Sequence, residues 1–352
     1  MQHIAMILTA STRNISGGYK IVYEYANRLS RLGYKIDIIY NCSDDKRKTK
    51  NIIFRLFIRL YREYLSKIEP QWFCLNSCIK KRVVNGLKKE LDYDIIILCG
   101  SYNVLEYYLH HDDKTISLIQ DYENWQLSDQ EVIESFQKNT VNIAVSKWLK
   151  NKVMEISKKQ CIYISNPIDL DKFYIEIPVE KRQLQISMLY HKQERKGTIY
   201  GLEVIKELHK KYPNIKFTLF GFPKRSDDIP SWIEYCQNAN TECLRKIYNH
   251  SIIFLCPSLV EGYGLTGAES MACGCALVST ETLGVFDYAE HGINSMLSPP
   301  KDVEGMINNV SILIENPKLR IKIAHAGAKS IKGKTWEKAV EQFNRVINNN
   351  FK

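Results

Sequence analysis

The sequence predicts an α/β protein made of two Rossmann-like halves. It opens with a strand-loop-helix-strand pattern, which is how a doubly wound parallel sheet begins. Further short apolar runs, typical of buried parallel strands, alternate with stretches of helical periodicity to the end of the chain. At 352 residues the chain is too long for one ordinary core, and its apolar share of 45% is that of a globular protein.

The first half opens with a buried strand at residues 4–8 and a polar loop at 9–18. Apolar residues at helical spacing then predict a helix over 19–32, which Gly33 ends before a second strand at 34–40. Four later apolar runs extend the pattern, at residues 93–98, 115–119, 141–145 and 162–164. We expect these runs to be the remaining strands of one parallel sheet.

The second half repeats the alternation. Its predicted strands are residues 185–189, 216–220, 252–256 and 275–280. Its predicted helices are residues 199–212, 243–248, 268–272, 302–315 and 317–331. We place the boundary between the two halves at about residue 168, where a proline keeps the connecting segment extended. The domains are then residues 1–168 and 169–335.

The net charge of +10 is concentrated in one segment. Residues 46–90 contain thirteen Lys and Arg against three Glu, and the rest of the chain is balanced. A nucleic-acid-binding protein is expected to spread its basic residues along a groove. We therefore expect no nucleic-acid partner.

Residues 51–65 form a basic amphipathic helix within that segment. Arg55, Arg59 and Arg62 make a narrow stripe, and apolar side chains cover most of the remaining surface. Such a helix suits an anionic membrane surface, with the other cations of 46–90 close by. Alternatively, the apolar face is domain core and the arginines point into water. We favour membrane docking.

Cellular location follows from what the sequence lacks. No apolar run reaches the roughly 18 residues of a membrane span, and the first ten residues do not form a signal peptide. The ten cysteines include no CxxC pair and no histidine cluster accompanies them, which indicates reduced thiols and no zinc site. We expect a cytoplasmic protein, peripheral on the inner face of the cell membrane.

A glycine-rich turn at residues 257–269 carries two carboxylates. It follows the strand at 252–256, with Glu261 in the loop and Glu269 about one turn into a helix. Glycines let the backbone approach a ligand, and the amides at a helix start favour an anion. Carboxylates would repel that anion unless they faced its hydroxyl groups. A nucleotide sugar offers both a diphosphate and hydroxyl groups.

The motif Pro-Ser-x-x-Glu-Gly-Tyr-Gly-Leu-x-x-x-Glu of residues 257–269 resembles the large retaining glycosyltransferase family four, which has the GT-B fold. The resemblance runs over nearly the whole chain and implies two Rossmann-like domains facing across a cleft. It implies a nucleotide-sugar donor on the second domain. The acceptor, a growing surface polysaccharide or a lipid-linked glycan, would lie on the first. Helix 336–350 resembles the segment that packs back on the first domain, and Gln-Asp-Tyr-Glu at 120–123 resembles the rhamnosyltransferase-like branch.

The resemblance also assigns roles to the acids and cations. Glu269 would hold the ribose hydroxyls, and Glu261 the hydroxyls of the donor sugar. Lys196 would neutralise the departing diphosphate, assisted by Arg195, because His191 stands where the family has an arginine. The remaining donor contacts would come from glycine loops and the amides of a helix start, at Gly17, Gly18, Gly221, Gly262, Tyr263, Gly264, Leu265 and Thr266.

Asp121 is the candidate catalytic residue of the first domain. Many relatives place a histidine near here, where this sequence has Gln120 and Asp121. Either Asp121 or Glu123 could assist the reaction. Alternatively, both roles are structural: Asp121 caps a helix and Trp125 packs against its neighbours. The resemblance implies retention by front-face attack, in which the donor's own phosphate takes the acceptor proton. It implies no metal and no cofactor beyond the UDP-, GDP- or dTDP-linked donor.

Two other functions stay open at this point. A non-catalytic partner subunit would keep the fold without turnover, and the departures at His191 and Gln120 are compatible with it. A sugar-nucleotide epimerase would need a cluster of acids and histidines, and would convert a nucleotide sugar without any acceptor.

Overall fold

Two parallel sheets organise the chain in the computed structural model, which describes residues 1–11, 13–43, 52–89, 91–124 and 127–351. One unit comprises Met1–Ser165 with Glu337–Lys352, and the other comprises Asn166–Trp336. The predicted basic cluster at 46–50 and the predicted role of Trp125 lie outside the described residues. The α/β class with two Rossmann-like units is confirmed.

The first unit holds a sheet of seven described strands, all parallel. In sheet order they are β3 (Lys80–Val84), β2 (Lys35–Asn41), β1 (His3–Thr9), β4 (Ile95–Cys99), β5 (Thr115–Ile119), β6 (Thr140–Ala144) and β7 (Cys161–Tyr163). The helices of this unit are α1 (Gly17–Arg31), α2 (Ile52–Ile68), α3 (Ser101–Tyr107), α4 (Asp129–Gln137), α5 (Lys147–Ser157) and, from the end of the chain, α11 (Trp336–Asn350). The strand order reverses between β1 and β4, so the carboxyl ends of these strands are where such a sheet keeps its ligand site.

The second unit holds a sheet of six described strands, again parallel. In sheet order they are β10 (Glu234–Gln237), β9 (Lys216–Gly221), β8 (Gln185–Leu189), β11 (Ile253–Cys256), β12 (Ala276–Thr280) and β13 (Ser295–Ser298). Its helices are α6 (Thr198–Lys211), α7 (Thr241–His250), α8 (Leu265–Ala272), α9 (Val303–Glu315) and α10 (Pro317–Ile331). Here the order reverses between β8 and β11, which brings the loops after these two strands together.

The apolar strands form the cores of both sheets. Residues of β11 such as Ile253 and Leu255 are fully buried against β8 and β12, as a central parallel strand requires. In the first unit, Ile7 of β1 pairs with Leu98 of β4, and both residues are likewise fully buried. The loops at the carboxyl ends of these central strands therefore start from the buried core of each sheet.

The last helix belongs to the first unit. Phe343 of α11 is fully buried and packs on Tyr25 of α1, with ring centroids 4.8 Å apart. Tyr34 donates a hydrogen bond of 2.7 Å to the side chain of Asn344. The chain passes from the first unit to the second between Ser165 and Asn166, where we predicted about residue 168.

Helix α2 presents its apolar side chains to solvent. Ile53 is 81% exposed and Phe57 65% exposed, and only Leu65 and Ser66 of the helix are buried. The arginine stripe is half-buried instead, and Arg62 donates to the carbonyl of Ser43 over 3.1 Å. The interpretation of the apolar face as domain core is therefore wrong. None of the described helices has the length and apolarity to cross a membrane.

Several elements differ from those predicted. Helix α1 begins at Gly17, so the paired glycines form its first turn and do not belong to the preceding loop. The basic residues at 80–82 lie in the edge strand β3, which pairs with β2. Elements without a sequence prediction include α3, α4, β10 and β13.

Candidate functional site

Lys196 and Glu261 form a buried ion pair at the strand-order reversal of the second unit. The Lys196 ammonium donates to both carboxylate oxygens of Glu261, over 2.7 and 2.8 Å. Lys196 lies in the turn between β8 and α6, and Glu261 in the loop between β11 and α8. The two side chains are 16% and 9% exposed. The structure thus brings together two residues that are 65 positions apart in the sequence.

Backbone contacts hold the two loops against each other. The amide of Leu259 donates to the carbonyl of Arg195 over 2.7 Å. Gly197 has a φ of +62°, and a Cβ there would overlap the carbonyl oxygen of Pro257. Only glycine combines this left-handed conformation with so close an approach. The pairing of Lys196 with Glu261 therefore depends on the backbone as well as on the two charges.

Ser258 completes the surroundings of Glu261. Its hydroxyl donates to Oε1 of Glu261 over 2.8 Å. Burial by itself would raise the pKa of Glu261, but Lys196, Arg195 and the Ser258 hydroxyl together hold that pKa below its usual value. Glu261 is therefore a carboxylate at neutral pH.

Helix α8 begins directly beside this pair. Its N-cap is Gly264, with a φ of +90°, and the hydroxyl of Tyr288 donates to the Gly264 carbonyl over 2.8 Å. Leu265 and Thr266, in the first turn, are half-buried. The start of an eight-residue helix is thereby fixed near a cation, an arrangement that favours an anion.

Tyr263 and Glu269 are more enclosed than their predicted roles suggest. The Tyr263 side chain is 2% exposed and packs on Tyr288, with ring centroids 5.3 Å apart. A ligand contact by Tyr263 would therefore involve its backbone. Glu269 is 7% exposed within α8. Gly262 is buried as well, against the backbone of Gly284.

His191 lies in the same turn as Lys196. Its Nδ1 accepts a hydrogen bond of 3.0 Å from the amide of Gln193, so the neutral ring carries its proton on Nε2. Burial, together with the charges of Lys196 and Arg195, lowers the pKa of His191. The chain therefore has a neutral imidazole at the position where the resemblance predicts a positively charged arginine.

Gly221 has a packing reason to be glycine. It ends β9, and a Cβ there would overlap the carbonyl oxygen of Tyr190. Arg195, for its part, donates a hydrogen bond from its Nε to Oε1 of Gln193 over 3.3 Å. The structure does not test the predicted contact of either residue with a donor.

The candidates of the first unit gather at the other strand-order reversal. The Gln120 amide donates to the carbonyl of Gly18 over 3.1 Å, which joins the end of β5 to the first turn of α1. Glu123 accepts from the amide of Ser101 over 2.7 Å. Asp121 accepts from the amide of Tyr122 over 2.9 Å. Asp121, Gly17 and Gly18 thus belong to the first unit, and the other predicted site residues to the second.

Four residues of the second-unit site were not predicted. They are Ser258, Gly197, Gly284 and Tyr288. The motif itself contains Ser258, but nothing in the sequence indicates that its hydroxyl turns back onto Glu261. For Gly197, the available sequence signal was its place as a glycine at the end of a short turn.

Metal binding has no obvious place among the described residues. They contain no group of three or more His, Cys, Asp or Glu side chains that could hold a metal ion. Two Asp-x-Asp triplets occur, at 92–94 and 169–171. Asp94 accepts from the amide of His3 over 2.6 Å, and Asp169 pairs with Lys172 over 2.8 Å.

Comparison with known proteins finds a family model that matches the stretch containing this site. Residues 180–316 match the family model described as Glycosyl transferases group 1, and this stretch contains both Lys196 and Glu261. Over 239 residues the chain is 22% identical to the capsular polysaccharide biosynthesis glycosyltransferase CapM of Staphylococcus aureus. That match covers 58% of this chain and 61% of CapM. The chain thus spans less than two thirds of the length of the curated relatives that it matches.

Two solved structures share the fold over the whole chain. Sucrose-phosphate synthase from Thermosynechococcus elongatus has a TM-score of 0.76 and 16% identity, covering 100% of this chain and 99% of that one. HepE of Anabaena, solved in complex with UDP and glucose, has a TM-score of 0.75 and 11% identity, covering 99% and 100%. Residues 180–316 therefore match the Glycosyl transferases group 1 family, and the chain as a whole has the GT-B fold of these neighbours.

Proposed function

We propose that this protein is a glycosyltransferase that moves a sugar from a nucleotide-sugar donor to a growing surface polysaccharide or lipid-linked glycan. The buried Lys196–Glu261 pair at the start of α8 is the observation that carries the proposal. The family match over this stretch supports it. So do the relation to CapM, named for capsular polysaccharide biosynthesis, and the neighbour that binds UDP and glucose.

The pair can hold a diphosphate and a sugar hydroxyl without separating. An ammonium has three N–H donors, and two suffice for the two oxygens of Glu261. A third N–H of Lys196 can then reach a phosphate oxygen. Each oxygen of Glu261 has two lone pairs, and Oε1 uses both on Lys196 and Ser258, whereas Oε2 keeps one beyond Lys196. Oε2 is therefore the acceptor that we assign to a hydroxyl of the donor sugar.

Charge stabilisation would supply most of the catalysis. As the bond between sugar and phosphate breaks, negative charge develops on the leaving diphosphate. We assign the stabilisation of that charge to Lys196, Arg195 and the amides from Gly262 to Thr266, which lie just before and at the start of α8. Stabilisation by preorganised groups of this kind is usually the largest single contribution to rate. Glu269 would bind the ribose hydroxyls.

We further propose retention of configuration and no need for a metal or a separate cofactor. The donor's phosphate would take the acceptor proton on the face where the sugar leaves, so no carboxylate nucleophile is required. The lysine and the helix amides take over the role that Mg²⁺ has in other transferases. Asp121 would assist from the first unit, and the nucleotide would be UDP, GDP or dTDP.

The first test measures release of nucleoside diphosphate from a panel of nucleotide sugars in the presence of lipid-linked glycan acceptors from a bacterial membrane extract. One donor should be consumed only when acceptor is present. Lys196→Ala should lower the turnover about 10² to 10³-fold, because it removes one group that stabilises the developing charge. Lys192→Ala, an exposed lysine in the same turn, should leave turnover unchanged.

The alternatives give different results in the same assay. A partner subunit without catalysis would show no turnover with any donor, and Lys196→Ala would then match the wild type. An epimerase would convert a donor in the absence of acceptor. Either result would overturn the proposed function.

We also propose that helix α2 docks the protein on an anionic membrane surface. Its exposed apolar residues include Ile53, Phe57 and Leu60. The helix packs against β3, the basic edge strand, where Lys80 is exposed. Apolar side chains that insert beside lysines are the combination that binds anionic headgroups. A lipid-linked acceptor would then reach the protein from the bilayer.

A further inference from the structure

A pair of cysteines in the second unit lies in direct contact. Sγ of Cys236, in β10, is 3.0 Å from Sγ of Cys243, in the first turn of α7. Both residues are half-buried, whereas six of the other eight cysteines are buried. Neither Cys236 nor Cys243 belongs to the proposed donor site.

We infer that Cys236 and Cys243 are a site of reversible modification, at which a small-molecule disulfide such as oxidised glutathione converts the two thiols into an intrachain disulfide. The sulfur atoms need to approach by about 1 Å, since a disulfide bond is roughly 2.05 Å long. Because the sulfur atoms are already only 3.0 Å apart, the closure is a local movement of two side chains.

The chemistry runs through two exchange steps. A thiolate of one cysteine attacks the oxidised glutathione, forms a mixed disulfide and releases one glutathione. The second cysteine then attacks the protein sulfur of that mixed disulfide and releases the second glutathione. The two protein thiols are oxidised, the small-molecule disulfide is reduced, and the two thiol protons end on the two glutathione molecules.

Cys243 is the better first nucleophile. It lies in the first turn of α7, and its amide is held by the side chain of Asn240 over 2.8 Å. The positive end of a helix favours a thiolate. Burial and the contact with Cys243 raise the pKa of Cys236 to about 11, which disfavours its thiolate. Cys236 is therefore the resolving cysteine.

The bridge would tie β10 to α7 beside the loop after β9. The flanking residues of Cys236 hold that loop: Tyr235 donates to the carbonyl of Pro223 over 2.6 Å, and Gln237 to that of Phe222 over 3.3 Å. If this loop contacts the nucleotide, oxidation would stiffen one wall of the donor site. That consequence rests on the proposed function, whereas disulfide formation does not.

The sequence makes the test direct, because trypsin releases both cysteines in one peptide, residues 226–245. The whole protein is incubated with oxidised glutathione, alkylated without reduction, digested and analysed by mass spectrometry. We expect this peptide to go from two alkyl labels to none, with no glutathione attached and two hydrogens lost. The peptide 68–80, which carries the exposed Cys74 and Cys78, reports that the oxidant has reached exposed thiols.

The single variants separate the two steps. Cys236→Ser should accumulate one stable glutathione on Cys243, because no resolving thiol remains. The inference is overturned if the wild-type peptide 226–245 keeps two alkyl labels, or takes up two glutathiones, at an oxidant concentration that fully modifies peptide 68–80.

Discussion

The charge of Glu261 is maintained by its neighbours. A carboxylate this deeply buried would favour its neutral form, and the ammonium of Lys196 at 2.7 Å reverses that preference. The two side chains are only 16% and 9% exposed. Removing one of the two residues leaves a buried charge without compensation.

The first prediction at this scale concerns the dependence of stability on pH. Glu261→Gln should lower the free energy of unfolding by about 3 kcal/mol at pH 7, because it leaves the Lys196 charge unpaired. The folded-state pKa of Glu261 lies below its usual value of 4.5. The contribution of the pair is therefore complete above pH 4.5, and it is lost as the pH falls through the folded-state pKa.

Denaturant unfolding of both proteins from pH 7 to pH 3 checks this prediction. The stability difference between wild type and Glu261→Gln should shrink at the acid end. Glu194→Gln, which changes an exposed acid in the same turn as Lys196, should cost almost nothing at any pH. A difference that stays constant over the whole range would contradict the account of the pair.

Sequence reasoning reached the identities of these residues but not their contact. Resemblance indicated both Lys196 and Glu261, with separate roles toward a diphosphate and a sugar. It could not show that they bind each other, because the contact joins two loops that only the sheet order brings together. The same limit hid Ser258, whose hydroxyl turns back on Glu261 by a local bend.

At the scale of elements, the central strands were predictable, whereas three of the four edge strands, β3, β10 and β13, were not. Central strands such as β11 are buried on both faces and appear as unbroken apolar runs. Two of these edge strands lack that signal because β3 is basic and mostly exposed, and β10 contains polar and half-buried residues. For helix α2 the periodicity predicted the helix, but it left open whether the apolar face turns to the core or to solvent; the face is exposed.

The turn at Gly197 gives a prediction about the contact between its loop and the loop of Pro257. Gly197→Ala should lower the unfolding free energy by about 3 kcal/mol, from the left-handed backbone and the overlap with Pro257. Gly292→Ala is the matched control, since Gly292 has a φ of +73° with nothing within 4 Å. The control should cost about 1 kcal/mol. Equal losses in thermal unfolding would mean that the close approach of the two loops contributes nothing.

Helix α2 gives the second prediction at this scale. Phe57→Ser combined with Leu60→Ser should leave thermal stability nearly unchanged, because both side chains are more than half exposed. The same variant should no longer sediment with vesicles that contain phosphatidylglycerol. Ile199→Ser, at a 71% exposed apolar residue of α6, is the control and should sediment like the wild type. Sedimentation that is unaffected by the α2 changes would exclude this helix as the docking surface.

At the scale of the whole molecule, each unit follows the same rule. A doubly wound parallel sheet keeps its ligand contacts beyond the carboxyl ends of the strands where their order reverses. In the second unit these strands are β8 and β11, and Lys196 and Glu261 follow them. In the first unit they are β1 and β4, and the glycines that open α1 meet Gln120 there. Alternating apolar runs predicted this architecture, whereas the sheet order became visible only in the fold.

Binding of a nucleotide sugar to the intact protein tests the central claim most directly. Thermal unfolding, measured with a panel of UDP-, GDP- and dTDP-sugars, should show one nucleotide whose sugar raises the melting temperature. At 100 times its dissociation constant, a ligand adds about 2.7 kcal/mol of stability. Lys196→Ala should abolish most of that rise while Lys192→Ala preserves it. A panel in which no nucleotide sugar stabilises the wild type, or in which Lys196→Ala is stabilised equally, would contradict the account.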